Sequence, residues 1–403
     1  MLIKLAFRNI LRQKRRSILT IATISAGFAF GSISIGIQTG SFNQMIDTFT
    51  RAYLGHIQIH NEGYLEEPTL YNVIRGYEII GDELDGFDFI EGWAPRLYFA
   101  GLVSVDEKSD AVSIVGIDPK LENQTTHFDG KIVEGTTFSS APNEVILGKG
   151  LMDALDAKIG DELVLVVQSA DGSMGNDLYR IVGKVDVGNE ASNRMSVYMQ
   201  LDEAQEIMVM NGQIHEIAII IGKISRLNRY YEIISAKLQG TGISLVTWRA
   251  VNPNFAEMVD TKKGAFFIIQ FVIMLIVAVG VLNTVLMSVL ERTREFGVLK
   301  ALGTRPPVIF RLIIVESAIM SVFGMIFGSI FGTAINLPMA HWGIKTPHSY
   351  DIGGILFDTM KSEVTVQTLT MPAIIVLFTA LFVSIFPAIR AARTVPAKSL
   401  RFH

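Results

Sequence analysis

The sequence predicts a membrane protein with four transmembrane α-helices and one large extracytoplasmic α+β domain inserted between helices 1 and 2. The chain has 403 residues, 49% of them hydrophobic, and a mean hydropathy of +0.38, which is too apolar for an average soluble protein. Four uncharged stretches are long enough to cross a hydrocarbon core of about 30 Å, which takes roughly 20 helical residues. Over 200 residues of ordinary soluble composition separate the first two stretches, enough to bury a core of their own.

Hydropathy and charge divide the chain into nine segments. The predicted transmembrane helices occupy residues 17–40, 264–290, 312–339 and 364–389. The remaining segments are a cytoplasmic amphipathic helix (1–16), a periplasmic α+β domain (41–263), a cytoplasmic charged segment (291–311), a short periplasmic loop (340–363) and a cytoplasmic tail (390–403). We refer to residues 291–311 as the charged segment throughout.

The orientation follows from the basic residues, which stay cytoplasmic when they flank membrane helices. Residues 1–16 contain six basic residues and no acidic one, and the charged segment and the tail are also rich in arginine and lysine. Residues 41–263 hold 33 acidic and 18 basic residues, a net charge of −15. Both termini are therefore predicted inside and the large domain outside. An acidic domain with scattered basic residues has no nucleic-acid footprint.

Within the large domain, short apolar runs separated by turns predict strands, and amphipathic runs predict helices between them. The strand runs are YFAGLVSV, AVSIVGI, NEVILG, LVLVVQ, YRIVGKV and SVYMQ, and the helical runs are KGLMDALDA, LDEAQEIMVM and NRYYEIISAKLQ. Residues 56–60 (HIQIH) alternate, so His56, Gln58 and His60 share one face of a strand. Two histidines suggest a metal site, but no third ligand is near, and we predict a plain strand surface.

The familiar catalytic motifs are absent from the sequence. Residues 148–150 (GKG) lack the upstream glycine and the following Ser or Thr of a Walker A loop, and there is no HExxH, no G-x-S-x-G and no cysteine. We therefore predict no catalytic residue, no metal site and no enzymatic activity in this chain.

Glycines spaced four residues apart predict faces for close helix packing in two membrane helices. Gly27 and Gly31 lie in the first predicted span, and Gly324, Gly328 and Gly332 lie in the third. Residues at this spacing expose backbone along one face, so another helix can approach closely. Packing within the chain and packing between subunits explain the pattern equally well.

The charged segment mixes polar and apolar residues at helical spacing. A helix here would place charged side chains beside Phe296 and Leu299 and end near Leu302, because Gly303 suits a left-handed position after the last turn. On these observations alone, an ordinary cytosolic loop is an equal alternative. Glu316 lies just inside the third span, and Arg311 is the basic residue close before it, which predicts a structural ion pair rather than a proton relay.

Three parts of the sequence resemble the FtsX/MacB-like permeases of ABC transporters. The strongest is LNTVLMSVLERTREFGVLKALGTRPPVIFRLIIVES, and the others are FRNILRQKRRSILTIATISAGFAFG and FPAIRAARTVPAKSLR. The large domain resembles the same family more loosely, through GHIQIH, VSIVGIDP and the LDAKIGDEL region. Chain length and the lack of a fused ATPase are most similar to the lipoprotein-releasing permeases.

This resemblance implies a mechanism in which the permease has no substrate pore and passes motion from cytosolic ABC ATPase subunits to its periplasmic domain. The chain would carry no cofactor, ATP and Mg being bound by the partner ATPase, and would assemble with a second permease as a homo- or heterodimer. Lipid and a periplasmic or outer-membrane factor are further expected partners. The implied ATPase-coupling residues are Glu291, Arg292, Arg294, Glu295, Phe296, Leu299, Lys300, Leu302 and Gly303. Among them we expect Phe296 to be the aromatic anchor in a groove of the ATPase.

The resemblance implies extraction or release of lipoproteins or another amphipathic cargo. The external prolines are isolated, however, and form no Pro-rich segment for a lipoprotein chaperone, so the cargo stays open. An alternative is a signalling subunit that regulates a cell-wall hydrolase without moving cargo. An ion-coupled secondary transporter would need charges at the membrane midplane or broken helices in paired repeats, and only Asn283 and Glu316 come near that.

Overall fold

The computed structural model describes residues 2–139, 141–238, 240, 242–352 and 355–393. The helices are α1 (Leu2–Arg12), α2 (Lys14–Phe49), α3 (Tyr77–Asp85), α4 (Pro119–Thr126), α5 (Lys149–Leu155), α6 (Glu190–Met195), α7 (Leu201–Ile207), α8 (Leu227–Lys237), α9 (Trp248–Val251), α10 (Pro253–Glu291), α11 (Thr293–Ala301), α12 (Pro306–Trp342) and α13 (Val366–Ala392). The strands are β1 (Ile57–Asn61), β2 (Ile74–Arg75), β3 (Ile90–Val105), β4 (Lys108–Ile117), β5 (Ile132–Gly135), β6 (Glu144–Gly148), β7 (Glu162–Gln168), β8 (Met174–Val185), β9 (Ser196–Gln200), β10 (Gln213–Ile214), β11 (Glu216–Ile221), β12 (Ile243–Thr247), β13 (Ile344–Ile352) and β14 (Ile355–Met360).

The chain forms two compact units. One, the membrane unit, comprises residues 1–42, 260–347 and 358–403, and the other, the large domain, comprises residues 43–259 and 348–357. Among the described residues, four helices are long and apolar enough to cross a membrane: Lys14–Ala52, in which a π-helical turn continues α2, and α10, α12 and α13. The predicted fold class is confirmed. α10 has 39 residues and is about 58 Å long at 1.5 Å per residue, so it extends beyond the hydrocarbon on its own.

The glycines of α12 lie against α2 within the membrane unit. A Cβ added at Gly328 would lie 2.7 Å from the Cβ of Phe28 and 2.8 Å from the carbonyl oxygen of Ser25. Gly324 contacts Ile24 in the same way, and Gly332 faces Ser32. α12 therefore uses its regular glycine spacing for packing inside this chain.

The two glycines of α2 face other helices of the membrane unit. A Cβ at Gly27 would come within 2.6 Å of Val277 in α10, whereas one at Gly31 would lie 3.6 Å from Gln270 and 3.7 Å from Pro372 of α13. Gly27 thus marks a tight approach of α2 to α10, and Gly31 sits in ordinary van der Waals contact. Together with the α12 contacts, these distances show that α2 touches α10, α12 and α13.

Within the described part of the large domain, ten strands form one sheet. The hydrogen-bonded path through β3, β4, β9, β6, β8 and β7 returns to β3, so these six strands make a closed, barrel-like ring. The first half of β3 instead pairs with β11, and β1 and β12 continue that side as an antiparallel sheet. The six predicted strand runs and three predicted helical runs all appear at the expected places.

The strand of HIQIH exists, but the prediction of a plain strand surface is wrong. His56, Gln58 and His60 are all buried, because β1 lies between β11 and β12 and is covered on both faces. The His60 ring contacts the Gln58 side-chain oxygen at 2.8 Å and the His215 carbonyl oxygen at 3.0 Å, and it stacks on Tyr64. These contacts give the histidine a structural role. No cluster of three or more metal-binding side chains occurs in the part of the chain that the structure describes.

Two stretches that follow membrane helices remain, residues 344–360 after α12 and the end of the chain after α13. Residues 344–360, in the predicted short loop, include β13 and β14, which pair with each other. The family-like sequence at the end of the chain is described only through Arg393, and residues 394–403 lie outside the described residues.

Candidate functional site

The charged segment folds as a short helix between two membrane helices. α10 ends at Glu291, Arg292 leaves helical geometry, and α11 runs from Thr293 to Ala301. Gly303 has a φ of +90°, which glycine adopts without steric cost, and its N–H donates to the carbonyl of Lys300 at 3.0 Å. Pro306 then starts α12 at a position where a missing N–H is harmless. Each turn in this segment therefore has a local cause in the sequence.

Phe296 lies on the inner side of α11. Its side chain is 0% exposed and belongs to the same buried cluster as Ile313 of α12 and Ala388 of α13. The Arg292 guanidinium lies 5.1 Å from its ring centre. The expectation that this ring enters a groove of a partner is therefore corrected, because the apolar face of α11 is covered by the chain's own helices.

A buried ion pair joins the start of α11 to α12. Arg292 and Glu316 are each only 6% exposed, and Nη1 of Arg292 donates to Oε2 of Glu316 at 2.7 Å. The other carboxylate oxygen accepts from Asn9 of α1 at 2.7 Å, and Arg292 Nε donates to Glu295 at 3.0 Å. A charge-assisted bond of this length between buried partners is a strong positional constraint.

The predicted ion pair of Glu316 exists, but its partner is Arg292 and not Arg311. Residues five apart on a helix are separated by about 140° around its axis, so Arg311 and Glu316 lie on different faces. Arg311 is exposed, whereas Glu316 points into the unit. Asn9 was not singled out by the sequence, because an asparagine in a basic amphipathic helix carries no local signal of a contact with residue 316.

Two further contacts hold the ends of the segment. Glu291 forms an ion pair with Arg16 at the start of α2. Nζ of Lys300 donates to the carbonyl oxygen of Ala392, the last residue of α13, at 2.9 Å. Leu299 packs partly buried against the same cluster as Phe296. The predicted residues thus divide between inward-facing contacts to α1, α2, α12 and α13 and an outward-facing set.

The outward face of α11 is a stripe of exposed side chains. Arg294, Val298 and Leu302 recur every four residues and therefore lie along one side of the helix. Leu302 is 79% exposed and Val298 is 43% exposed. We call these three residues the exposed stripe. It combines a positive charge with two apolar side chains.

Two known protein families match separate parts of the chain. The FtsX-like permease C-terminal family matches residues 267–396, and the MacB-like periplasmic core domain matches residues 17–224. The second match alone covers more than half of the chain. The charged segment and α12 lie in the first match, and most of the large domain lies in the second.

Individual proteins similar to this chain are ABC transporter permeases. The lipoprotein-releasing system transmembrane protein LolC of Neisseria meningitidis is 21% identical over 97% of both chains. The uncharacterized ABC transporter permease YknZ of Bacillus subtilis is 23% identical over 99% of this chain and 98% of that one. Among solved structures, the periplasmic region of MacB from Actinobacillus actinomycetemcomitans matches with a TM-score of 0.35 and 14% identity, over 52% of this chain and 91% of that one.

The residues matched by the two families agree with the order of the helices and the large domain along the chain. They put the MacB-like periplasmic domain between the first and second membrane helices, the FtsX-like region over the last three, and the charged segment between the second and third. The resemblance predicted from sequence is confirmed. This chain belongs to the FtsX/MacB-like family of ABC transporter permeases.

Proposed function

We propose that this permease, in the bacterial inner membrane with both termini cytoplasmic, couples ATP hydrolysis by a separate cytosolic ATPase to motion of its periplasmic domain. The observation that carries the proposal is the division of the charged segment into an exposed stripe and a buried face. An element that transmits force must offer a surface to the source of motion and be tightly held to what it moves.

The exposed stripe is the proposed docking surface. Val298 and Leu302 would be buried by the ATPase, and burying apolar surface contributes about 25 cal/mol per Å². Arg294, beside them, would pair with an acidic group at the edge of the groove. Three side chains at four-residue spacing fit a shallow groove on the ATPase without unfolding any part of α11.

The buried face of the segment is the proposed transmission element. A displacement of α11 reaches α12 through Arg292 and Glu316, α13 through Lys300, and α2 through Glu291 and Arg16. Because the contacts of Arg292, Glu316 and Phe296 are buried, close-packed and resistant to compression, α12 and α13 would move with α11, and the more exposed pair of Glu291 and Arg16 adds a charged contact to α2. All three routes begin within ten residues of one another.

For the cargo, we propose lipoproteins or another amphipathic molecule that leaves the outer leaflet. This proposal is supported by similar proteins, such as LolC of Neisseria meningitidis, which is named a lipoprotein-releasing system transmembrane protein. A second permease subunit, as a homo- or heterodimer, would complete the assembly.

The docking surface is tested by Leu302→Asp. We expect at least a tenfold loss of ATPase affinity, equal to about 1.4 kcal/mol, because a carboxylate cannot be buried in an apolar groove. The measurement is titration of the purified ATPase onto the full permease in nanodiscs. Leu302→Met is the matched control and should bind normally.

Phe296→Ala separates docking from folding in the same assay. Emptying the site of a fully buried ring typically costs about 3–5 kcal/mol of stability, so this variant should lower the melting temperature, which Leu302→Asp should leave unchanged. Unchanged ATPase affinity in Leu302→Asp and Val298→Asp would exclude the exposed stripe as the docking site.

The proposed orientation is tested with single cysteines, which is direct because the natural chain has none. Ser173→Cys lies in an exposed loop of the large domain and Ala301→Cys at the exposed end of α11. An impermeant maleimide added to intact spheroplasts should label the first and not the second, and permeabilised cells should label both. Labelling of Ala301→Cys in intact spheroplasts would contradict the orientation.

A further inference from the structure

A cavity of about 260 Å³ is lined entirely by residues of the large domain. Its walls come from the sheet, from the last turn of the helix that leads into the domain and from α9. This volume lies just below the range of about 300–1,000 Å³ that is typical of drug-sized ligand pockets, so only a smaller molecule would fit. The wall has an apolar and aromatic part, with Phe128, Tyr198 and Val115, and a charged part, with Arg96, Glu122 and Glu216.

In the charged part of the wall, one carboxylate oxygen has no hydrogen-bond donor among the described residues. Arg96 donates to both oxygens of Glu122, at 2.9 and 2.7 Å, and to Oε1 of Glu216 at 3.0 Å. Tyr98 also donates to Oε1 of Glu216, at 3.3 Å. Oε2 of Glu216 accepts no hydrogen bond from any other residue within the described ranges. Glu216 is only 5% exposed, and its side chain is part of the cavity lining.

The charges that line the cavity do not balance. Among the residues that line the cavity, two carboxylates, Glu122 and Glu216, face one guanidinium, that of Arg96, while the partly buried ammonium of Lys131 acts on Glu122 from outside that lining. Burial raises the pKa of Glu216, with Arg96 and His60 opposing that effect. A buried carboxylate with a free acceptor is expensive to leave uncompensated, and a cation that donates to it removes the cost.

We propose that this cavity binds a small organic cation, a primary ammonium group on a short apolar or aromatic body. The ammonium would donate to Oε2 of Glu216, and the body would lie against Phe128 and Tyr198, whose rings favour a nearby positive charge. An anion is disfavoured because Arg96 is already bound by two carboxylates.

The position of the cavity gives such a ligand a structural consequence. Ala52 and Leu54 line it from the turn that ends the first long helix, and Val251 lines it two residues before α10 begins. An occupant would therefore contact both chain segments that connect the large domain to the membrane helices in sequence. The inference does not depend on ATPase coupling, and its test measures binding alone.

The experiment uses the full chain in nanodiscs and three probes of similar shape: 2-phenylethylamine, neutral 2-phenylethanol and anionic 3-phenylpropanoate. Isothermal titration should give saturable binding of the amine at one site per chain, at least tenfold tighter than the alcohol, and no binding of the anion. Glu216→Gln keeps the shape of the side chain and removes its charge, so it should abolish the preference for the amine.

Two leucine variants keep the test decisive if Glu216→Gln folds poorly. Ser113 lines the cavity from β4 without contacting the Arg96 cluster, so Ser113→Leu should fill the space and prevent binding of the amine. Ser109→Leu, on the same strand at an exposed position, is the control and should bind normally. Equal affinity for amine and alcohol in the natural chain, or full amine binding by Ser113→Leu, would overturn the proposal.

Discussion

Gly328→Leu is expected to prevent α12 from packing on α2. The new side chain would start 2.7 Å from the Cβ of Phe28 and 2.8 Å from the backbone oxygen of Ser25, and neither can move without displacing its helix. Overpacking a well-filled core typically costs about 1–3 kcal/mol, and we expect at least the upper end because whole helices must separate. The measurement is the melting temperature and the monodisperse fraction of the permease purified in detergent.

Gly264→Leu is the matched control for this experiment. Gly264 is also a helical glycine, in α10, and a Cβ there meets no atom within 4 Å. The same substitution should therefore leave the melting temperature unchanged or raise it, since leucine is the better helix former. If both variants melt alike, the contact between α12 and α2 is not a close one.

Arg292→Met should be strongly destabilising. It leaves the carboxylate of Glu316 buried without its cation, and losing one partner of a buried ion pair typically costs about 3–5 kcal/mol. Arg294→Met, two residues away in sequence and exposed, should change stability by less than about 0.5 kcal/mol. The comparison is made by thermal unfolding of the natural protein, Arg292→Met and Arg294→Met in the same detergent.

The double variant Arg292→Met with Glu316→Leu tests the physical reason. Replacing both charges with apolar side chains removes the unpaired carboxylate, so most of the lost stability should return. A double variant as unstable as the sum of the two single ones would mean that the residues act independently and that packing around Phe296, not charge, explains the loss.

The sequence by itself determined the membrane helices, the strands of the large domain and the family. Each depends on local pattern: about 20 uncharged residues require a helix in lipid, and alternation between turns requires a strand. The end of α11 near Leu302 also depends on local sequence, since Gly303 and Pro306 act on their immediate neighbours.

Only the tertiary structure decided which partner each side chain meets. Phe296 has the pattern of a docking residue, yet an apolar face looks the same in sequence whether a partner or the chain's own α12 and α13 cover it. Glu316 pairs with Arg292, 24 residues away, rather than with nearby Arg311, because the turn between α10 and α12 brings the two together and helical geometry separates the others.

The same limit applies to HIQIH and to the cavity. The alternation of residues 56–60 predicts a strand but neither its place between β11 and β12 nor the residues, such as Asp47 and Tyr64, that cover His56 and His60. Arg96, Glu122 and Glu216 are spread over 121 residues of sequence and meet only when β3, α4 and β11 assemble. Local forces fix the elements, and long-range packing selects the contacts between them.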